Sequence, residues 1–187
     1  YQTVNGKFEF ESGTPPDMYC ATGQKWNMPV YNIEEIKKDN YEYFLKRYSY
    51  YLILFDKVRI DHFRGYDSFY KIPINELGSY GFYEDGLSYN FFNHLFNNLN
   101  VKPEQFVVED LGDIREETIK LRDYYGFMGQ KIIQTSLDLN KIIDTYNIIE
   151  NIMVLPGNHD SHTIYSWYEL LSDEQKENLK EFLRKNN

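Results

Sequence analysis

Asp61, Glu109 and Asp160 each follow a short apolar run, and residues of this type in this setting can do acid, base or nucleophile chemistry. Asp61 follows Val58-Arg59-Ile60 and opens the group His62-Phe63-Arg64-Gly65. Glu109 ends Phe106-Val107-Val108, and Asp160 follows Ile152-Met153-Val154-Leu155 after the turn Pro156-Gly157-Asn158. If 58–61 is extended, the period of two puts Arg59 and Asp61 on one face and Val58 and Ile60 on the other. A guanidinium beside a carboxylate favours its ionised form. Such a pair at a strand's carboxyl end suits a site that reacts with sugars. A barrel or open sheet of parallel strands gathers residues of this kind at one rim. A lone Asp or Glu after a strand more often caps a helix or ends a turn, so the weight falls on the recurrence.

The elements that must position these acids can be read from the pattern. Residues 1–32 lack periodicity and carry Gly13, Pro15, Pro16, Gly23 and Pro29, which is loop chemistry. A loop of that length in a compact domain is usually functional or poorly ordered, and its aromatic and polar content favours function. Residues 33–51 read as a helix, with Ile36, Tyr43, Phe44, Arg47 and Tyr51 near one stripe. A first strand follows at about 53–61, and 66–86 reads as irregular. Leu87 to Leu99 is a second helix, and 106–109 a second strand. Asp113 with Glu116 reads as a capping box, followed by a face of Ile114, Thr118, Leu121 and Tyr125. A third strand is expected at about 130–134, a short helix or turn in 141–150, and a fourth strand at 152–155. Ser161 to Leu171 reads as helical, and Ser172 with Gln175 as a second capping box. Strands of this length alternating with helices indicate parallel βαβ units. Periodicity leaves both a small open sheet and an arc of an eight-stranded barrel open.

Composition narrows the function classes. A chain of 187 residues with 42% hydrophobic content can bury a real core and is not disordered. Its 18 Tyr and 13 Phe suit either a core or stacking against sugar rings. A net charge of −9 disfavours nucleic acid or an anionic membrane surface as partner. Cys20 is the lone cysteine, which excludes an internal disulfide and a thiolate cluster and fits a reducing cytoplasm. No apolar run reaches transmembrane length, and nothing at the start resembles a signal peptide. The first residue is Tyr1 rather than Met, so the true start is expected upstream. His62, Asp61 and His159 could gather around a metal, but no HExxH or EF-hand pattern is present, and neither metal nor cofactor is expected. His94 reads as an ordinary helix residue. Gly65, Gly112 and Gly157 read as turn glycines without P-loop spacing.

Taken in order, four blocks of the sequence resemble one family. They are Thr14-Pro15-Pro16-Asp17 through Gly23-Gln24-Lys25-Trp26, then Arg59 to Gly65, then Glu109-Asp110-Leu111-Gly112, then Gly157-Asn158-His159-Asp160. They resemble the amylomaltases, or disproportionating enzymes, which are the 4-α-glucanotransferases of glycoside hydrolase family 77. Gly126-Phe127-Met128-Gly129 and the Gly-Phe-Tyr-Glu run at 81–84 add to the match.

The resemblance implies an α/β fold: part of a (β/α)₈ TIM barrel, strands four to seven, with helices and a substrate-groove loop. On that reading 1–187 is the C-terminal part of the catalytic barrel, with 1–32 the groove loop and 33–187 the βα repeats. It implies retaining transfer of α-1,4-glucan segments, with glucans and maltooligosaccharides as partners. Asp61 takes the place of the nucleophile, Glu109 of the general acid/base, and Asp160 of the carboxylate that supports sugar distortion. Arg59, His62 and His159 fall on substrate-binding positions, and Asp17, Gln24 and Trp26 on a loop bordering the groove. Asn158, Ser161, His162 and Thr163 depart from the family pattern around Asp160. The first barrel strands and the last have no counterpart here, which implies an exposed apolar sheet face, self-association, or pairing with the missing part of the barrel. The rival readings are an α-glucan hydrolase of the α-amylase group and a non-catalytic glucan-binding piece.

Overall fold

Residues 1–32 contain strands within the loop that their Gly and Pro content predicts. The computed structural model describes residues 1–17, 20–140 and 151–185. Strands β1 (Thr3–Val4) and β2 (Lys7–Phe8) pair with each other, and β3 (Phe10–Thr14) pairs antiparallel with β4 (Gln24–Pro29). Helices α1 (Ile33–Lys38) and α2 (Glu42–Leu54) lead to β5 (Val58–Ile60) and α3 (Arg64–Asp67). Within the stretch predicted to be irregular lie β6 (Ser68–Pro73) and β7 (Phe82–Asp85), which complete an antiparallel sheet of order β4-β3-β6-β7.

Why this sheet escapes a hydrophobic pattern is visible in what it buries. Glu11 and Lys71 are among its buried residues, where alternation would call for apolar ones. Both are paired, as buried charges must be. Lys25 reaches Glu11 at 2.7 Å. Lys71 contacts Glu84, donates to Gln2 Oε1 at 2.9 Å and lies 4.2 Å from the Phe10 ring centroid. Gly13 is required by a close approach: a Cβ there would sit 2.0 Å from the Gln24 carbonyl oxygen and 2.6 Å from Ile72 Cδ1. Backbone cannot yield as a side chain can. Gly13→Ala is therefore expected to destabilise the fold by about 2 kcal/mol or more, read as a lower midpoint in urea unfolding. An unchanged midpoint would mean that β3 and β4 separate easily.

The helix predicted over 33–51 is two helices. Asn40 and Tyr41 take left-handed φ values of 49° and 59°, and the chain turns there. Asn32 caps α1, its side-chain oxygen accepting from the Glu35 N–H at 3.1 Å. The second helix buries Phe44 and Tyr48, one turn apart, and runs into the stretch predicted as strand, leaving only 58–60 extended. Two further helices, α4 (Ser88–Asn98) and α5 (Glu116–Tyr125), flank β8 (Phe106–Val108). Asp113 does not cap α5. The N-cap is Arg115, and Asp113 is taken by Arg64 instead. Gly126, at φ 68°, ends α5 in the left-handed conformation that glycine adopts without penalty. Phe63, Phe91, Phe92, Phe106 and Phe127 are fully buried in one cluster, so many of the aromatics go to the core. Strands β5 and β8 pair in parallel, Val58 with Phe106 and Ile60 with Val108, so residues 61 and 109 leave the two strands level.

These elements form a first unit, Tyr1–Phe127; Met128–Asn187 form a second. There β9 (Gly129–Ile132) and β10 (Ile152–Leu155) pair in parallel. The helix or turn expected in 141–150 lies outside the described residues. Short α6 (Ile133–Ser136) follows β9, and α7 (Ile164–Leu170) and α8 (Asp173–Lys185) follow β10. The Ser172–Gln175 capping box forms: the Ser172 N–H donates to Gln175 Oε1 at 3.0 Å and the Gln175 N–H to Ser172 Oγ at 3.2 Å. Val58, Ile60, Val107, Ile132, Ile133, Met153 and Leu155 were expected on strands with an exposed apolar face. Of these, Ile60, Val107 and Ile132 are buried and Val58, Met153 and Leu155 are half-buried. Ile133 is half-buried but begins α6 instead of ending a strand. The more exposed apolar stretch is the end of α2, where Ile53 is 77% and Phe55 59% exposed. No helix among the described residues is long and apolar enough to cross a membrane.

Candidate active site

The parallel ladder continues one step beyond β8 and so fixes the backbone of Glu109. Its N–H donates to the Ile60 carbonyl at 2.9 Å, and its own carbonyl accepts from the Phe63 N–H at 3.1 Å. Asp61 begins the turn after β5, and His62 takes a left-handed φ of 45°. Arg59 lies between the two acids. Its Nη1 contacts Asp61 Oδ1, and its Nη2 is 3.2 Å from Glu109 Oε2. The His62 N–H donates to the same Glu109 Oε2 at 2.7 Å. Two of the three acids singled out in the sequence are thus brought together by one guanidinium.

Their surroundings differ. The Asp61 side chain is 69% exposed and that of Glu109 only 19%. Burial raises the Glu109 pKa above its ordinary value, and the negative charge of Asp61 adds to this. The His62 N–H and the Arg59 charge act the other way. A carboxyl poised in this way can carry a proton to a leaving group and afterwards accept one. Burial and the nearby Arg64 lower the His62 pKa, against Asp61, which favours a neutral imidazole.

Trp26, on β4, packs edge-on against the His62 ring with centroids 4.9 Å apart. Beside them opens a cavity of about 370 Å³. Trp26, Arg59, Asp61 and His62 line one part of it, and Tyr31, Phe44, Tyr48 and Tyr51 another. Glu109 is not among the lining residues, though it accepts the His62 N–H. Asp17 and Gln24 do not line the cavity either. Asp17 Oδ1 accepts the Cys20 N–H at 2.7 Å, and Gln24 Oε1 accepts from Trp26 Nε1 at 3.3 Å.

Asp160 and His159 belong to the second unit. They adjoin one another, His159 Nε2 lying 3.3 Å from Asp160 Oδ2, with both side chains about two-thirds exposed. The residues that depart from the family pattern shape their loop. Asn158 Oδ1 accepts the Asp160 N–H at 3.0 Å, and Ser161 Oγ accepts the Asn158 N–H at 2.7 Å. Gln134 Nε2 donates to the His162 carbonyl at 2.8 Å. Among the described residues no group of three or more His, Cys, Asp or Glu side chains is arranged to hold a metal.

Sequence reasoning missed the supports of the Glu109 segment. Buried Arg64 donates to Asp113 Oδ2 at 2.6 Å and lies 4.5 Å from the Tyr83 ring centroid. Arg122, on α5, pairs with Asp110, whose side chain is 6% exposed. Nothing in the spacing of 110 and 122 marks the pair, because a turn and a helix intervene. Arg122→Met is expected to cost roughly 2–3 kcal/mol in chemical unfolding, since it removes a cationic partner from a buried carboxylate at a partly exposed pair. A loss below the error of the measurement would mean that other contacts of Asp110 suffice.

Two parallel strands thus end in an arginine-bridged pair of acids, one exposed and one largely buried with a raised pKa. A family model described as 4-alpha-glucanotransferase matches residues 3–187, and the chain belongs to that family. It is 35% identical over 168 residues to a 4-alpha-glucanotransferase of Streptococcus pneumoniae serotype 4, covering 88% of this chain and 33% of that protein. It is 33% identical over 176 residues to one of Aquifex aeolicus, covering 93% of this chain and 36% of the other. Among solved structures, an amylomaltase from Streptococcus agalactiae in complex with acarbose superposes with a TM-score of 0.87 at 26% identity, over 98% of this chain and 38% of that one. The chain spans about a third of the length of these relatives.

Proposed function

We propose that this chain carries the nucleophile and acid/base of a 4-α-glucanotransferase that moves α-1,4-glucan segments through a covalent glycosyl-enzyme. The observation that carries this reading is the Arg59 bridge between Asp61 and Glu109. In a retaining reaction the two carboxyls stand about 5–5.5 Å apart, and two acids held by one guanidinium support such a spacing. Asp61, paired with Arg59, attacks the anomeric carbon. Glu109, its pKa raised by burial, protonates the departing glycosidic oxygen. It then takes the proton of an incoming 4-hydroxyl, which attacks the glycosyl-enzyme and frees Asp61. Transfer outpaces hydrolysis when the acceptor sugar is bound better than water is activated, and Trp26 with the cavity tyrosines offers apolar faces for a sugar ring. Asp160 is assigned to distortion of the reacting sugar, His159 and His62 to sugar contact, and Asp17 and Gln24 to the border of the groove. The fold class proposed for these roles is part of a (β/α)₈ barrel; each unit holds one parallel pair, β5–β8 in the first and β9–β10 in the second.

The test is incubation of the purified protein with maltotriose and chromatography of the products. A ladder of glucose, maltose and longer oligomers is expected. Shorter sugars without longer ones would assign the chain to hydrolysis, and binding of maltotriose without turnover to a binding role.

A further inference from the structure

We propose that His62 is a positioning residue for Glu109, acting through its main-chain N–H rather than its imidazole, and that it directs the Glu109 proton to Oε1. The inference rests on the acid/base reading of Glu109. Oε2 of Glu109 accepts the His62 N–H at 2.7 Å and pairs ionically with Arg59 Nη2 at 3.2 Å. An oxygen that already accepts an N–H and faces a guanidinium charge is a poor place for a proton. The acid form of Glu109 therefore carries its hydrogen on Oε1.

The turn that aims this N–H has an unusual backbone. At φ 45° His62 occupies the left-handed region, which a non-glycine residue enters only at a cost. The turn is held on both sides: the Gly65 N–H donates to the His62 carbonyl at 2.8 Å, and the Phe63 N–H to the Glu109 carbonyl at 3.1 Å. The His62 ring meanwhile packs on Trp26, 4.9 Å between centroids, and a Cβ on Gly65 would come within 3.3 Å of its Cδ2. The charged groups that act on Glu109 are Asp61 and Arg59, both from the end of β5, and Trp26 on β4 brings no charge. A hydrogen bond donated to a carboxylate favours its ionised form. The His62 N–H thus opposes the upward push of burial and of Asp61, and it readies Glu109 to act as base in the second half of the reaction.

The first measurement uses the unaltered chain without glucan. In ¹H–¹⁵N spectra the His62 amide proton is expected to move with pH at the same midpoint as the ¹³C signal of the Glu109 carboxyl, and to lose that transition in Glu109→Gln. An amide that ignores the Glu109 titration would overturn the proposal. The second measurement compares two variants. Asn tolerates the left-handed region and β-branched Val does not. His62→Asn is expected to keep the Glu109 midpoint, and His62→Val to raise it by about one pH unit, the scale of one lost hydrogen bond to a charged group. A midpoint raised equally by Asn would assign the effect to the imidazole and also overturn the proposal. If His62→Val does not fold, the first measurement decides alone. Neither measurement needs turnover, so a chain inactive on maltotriose still answers the question.

Discussion

Asp61→Asn is expected to lower glucan transfer by about four orders of magnitude or more, the scale at which loss of a nucleophile leaves only binding and the remaining groups. The amide keeps the shape of the carboxylate but cannot form the glycosyl-enzyme. Stability should hardly change, because the Asp61 side chain is 69% exposed and its partner Arg59 keeps its contact with Glu109. The same substitution removes the like charge that helps raise the Glu109 pKa, so the Glu109 midpoint should fall. Transfer from maltotriose, urea unfolding and a ¹³C titration check the three statements separately. Turnover near that of the unaltered protein would exclude Asp61 as nucleophile. Lost turnover with an unmoved Glu109 midpoint would mean that the two carboxyls do not sense each other.

Two of the parallel strands, β8 and β10, were legible because they are continuously apolar. Phe106, Val107 and Val108 are all buried, and Ile152 to Leu155 are all half-buried. The acids after them were legible for the same reason, since an Asp or Glu at the end of such a run stands out. The antiparallel sheet was not legible. Its buried positions include Glu11, Lys71, Ser68 and Gly13, and burial satisfied by ion pairs leaves no period of two in hydrophobicity. The break at Asn40 and Tyr41 was hidden because neither is glycine or proline, yet both adopt positive φ. The contact between His62 and Glu109 was beyond any pattern in side chains, because it is made by the backbone. A resemblance can carry His62 over as a sugar-contacting residue, but only the geometry of the turn reveals the N–H facing Glu109.

Glu109→Gln separates the two halves of the proposed reaction. With a natural glucan donor, transfer is expected to fall by about 10²–10⁴-fold, the usual contribution of a general acid. A donor whose leaving group needs no proton, such as α-maltosyl fluoride, should restore the first step, because Asp61 and Arg59 remain in place. The second step still lacks its base, so glycosyl-enzyme should accumulate and be visible as added mass. The pH dependence follows from the raised Glu109 pKa. The protonated form needed for the first step persists to higher pH than for an ordinary glutamate. In the unaltered protein kcat/KM with a natural donor should therefore hold above the ordinary carboxylate range and fall as pH rises through the Glu109 midpoint. With the fluoride donor that alkaline fall should weaken, since protonation no longer limits attack. In Glu109→Gln it should vanish. A variant that no activated donor rescues, with no trapped intermediate and an alkaline fall like that of the unaltered protein, would make Glu109 a structural partner of Arg59 and leave the acid role to another residue.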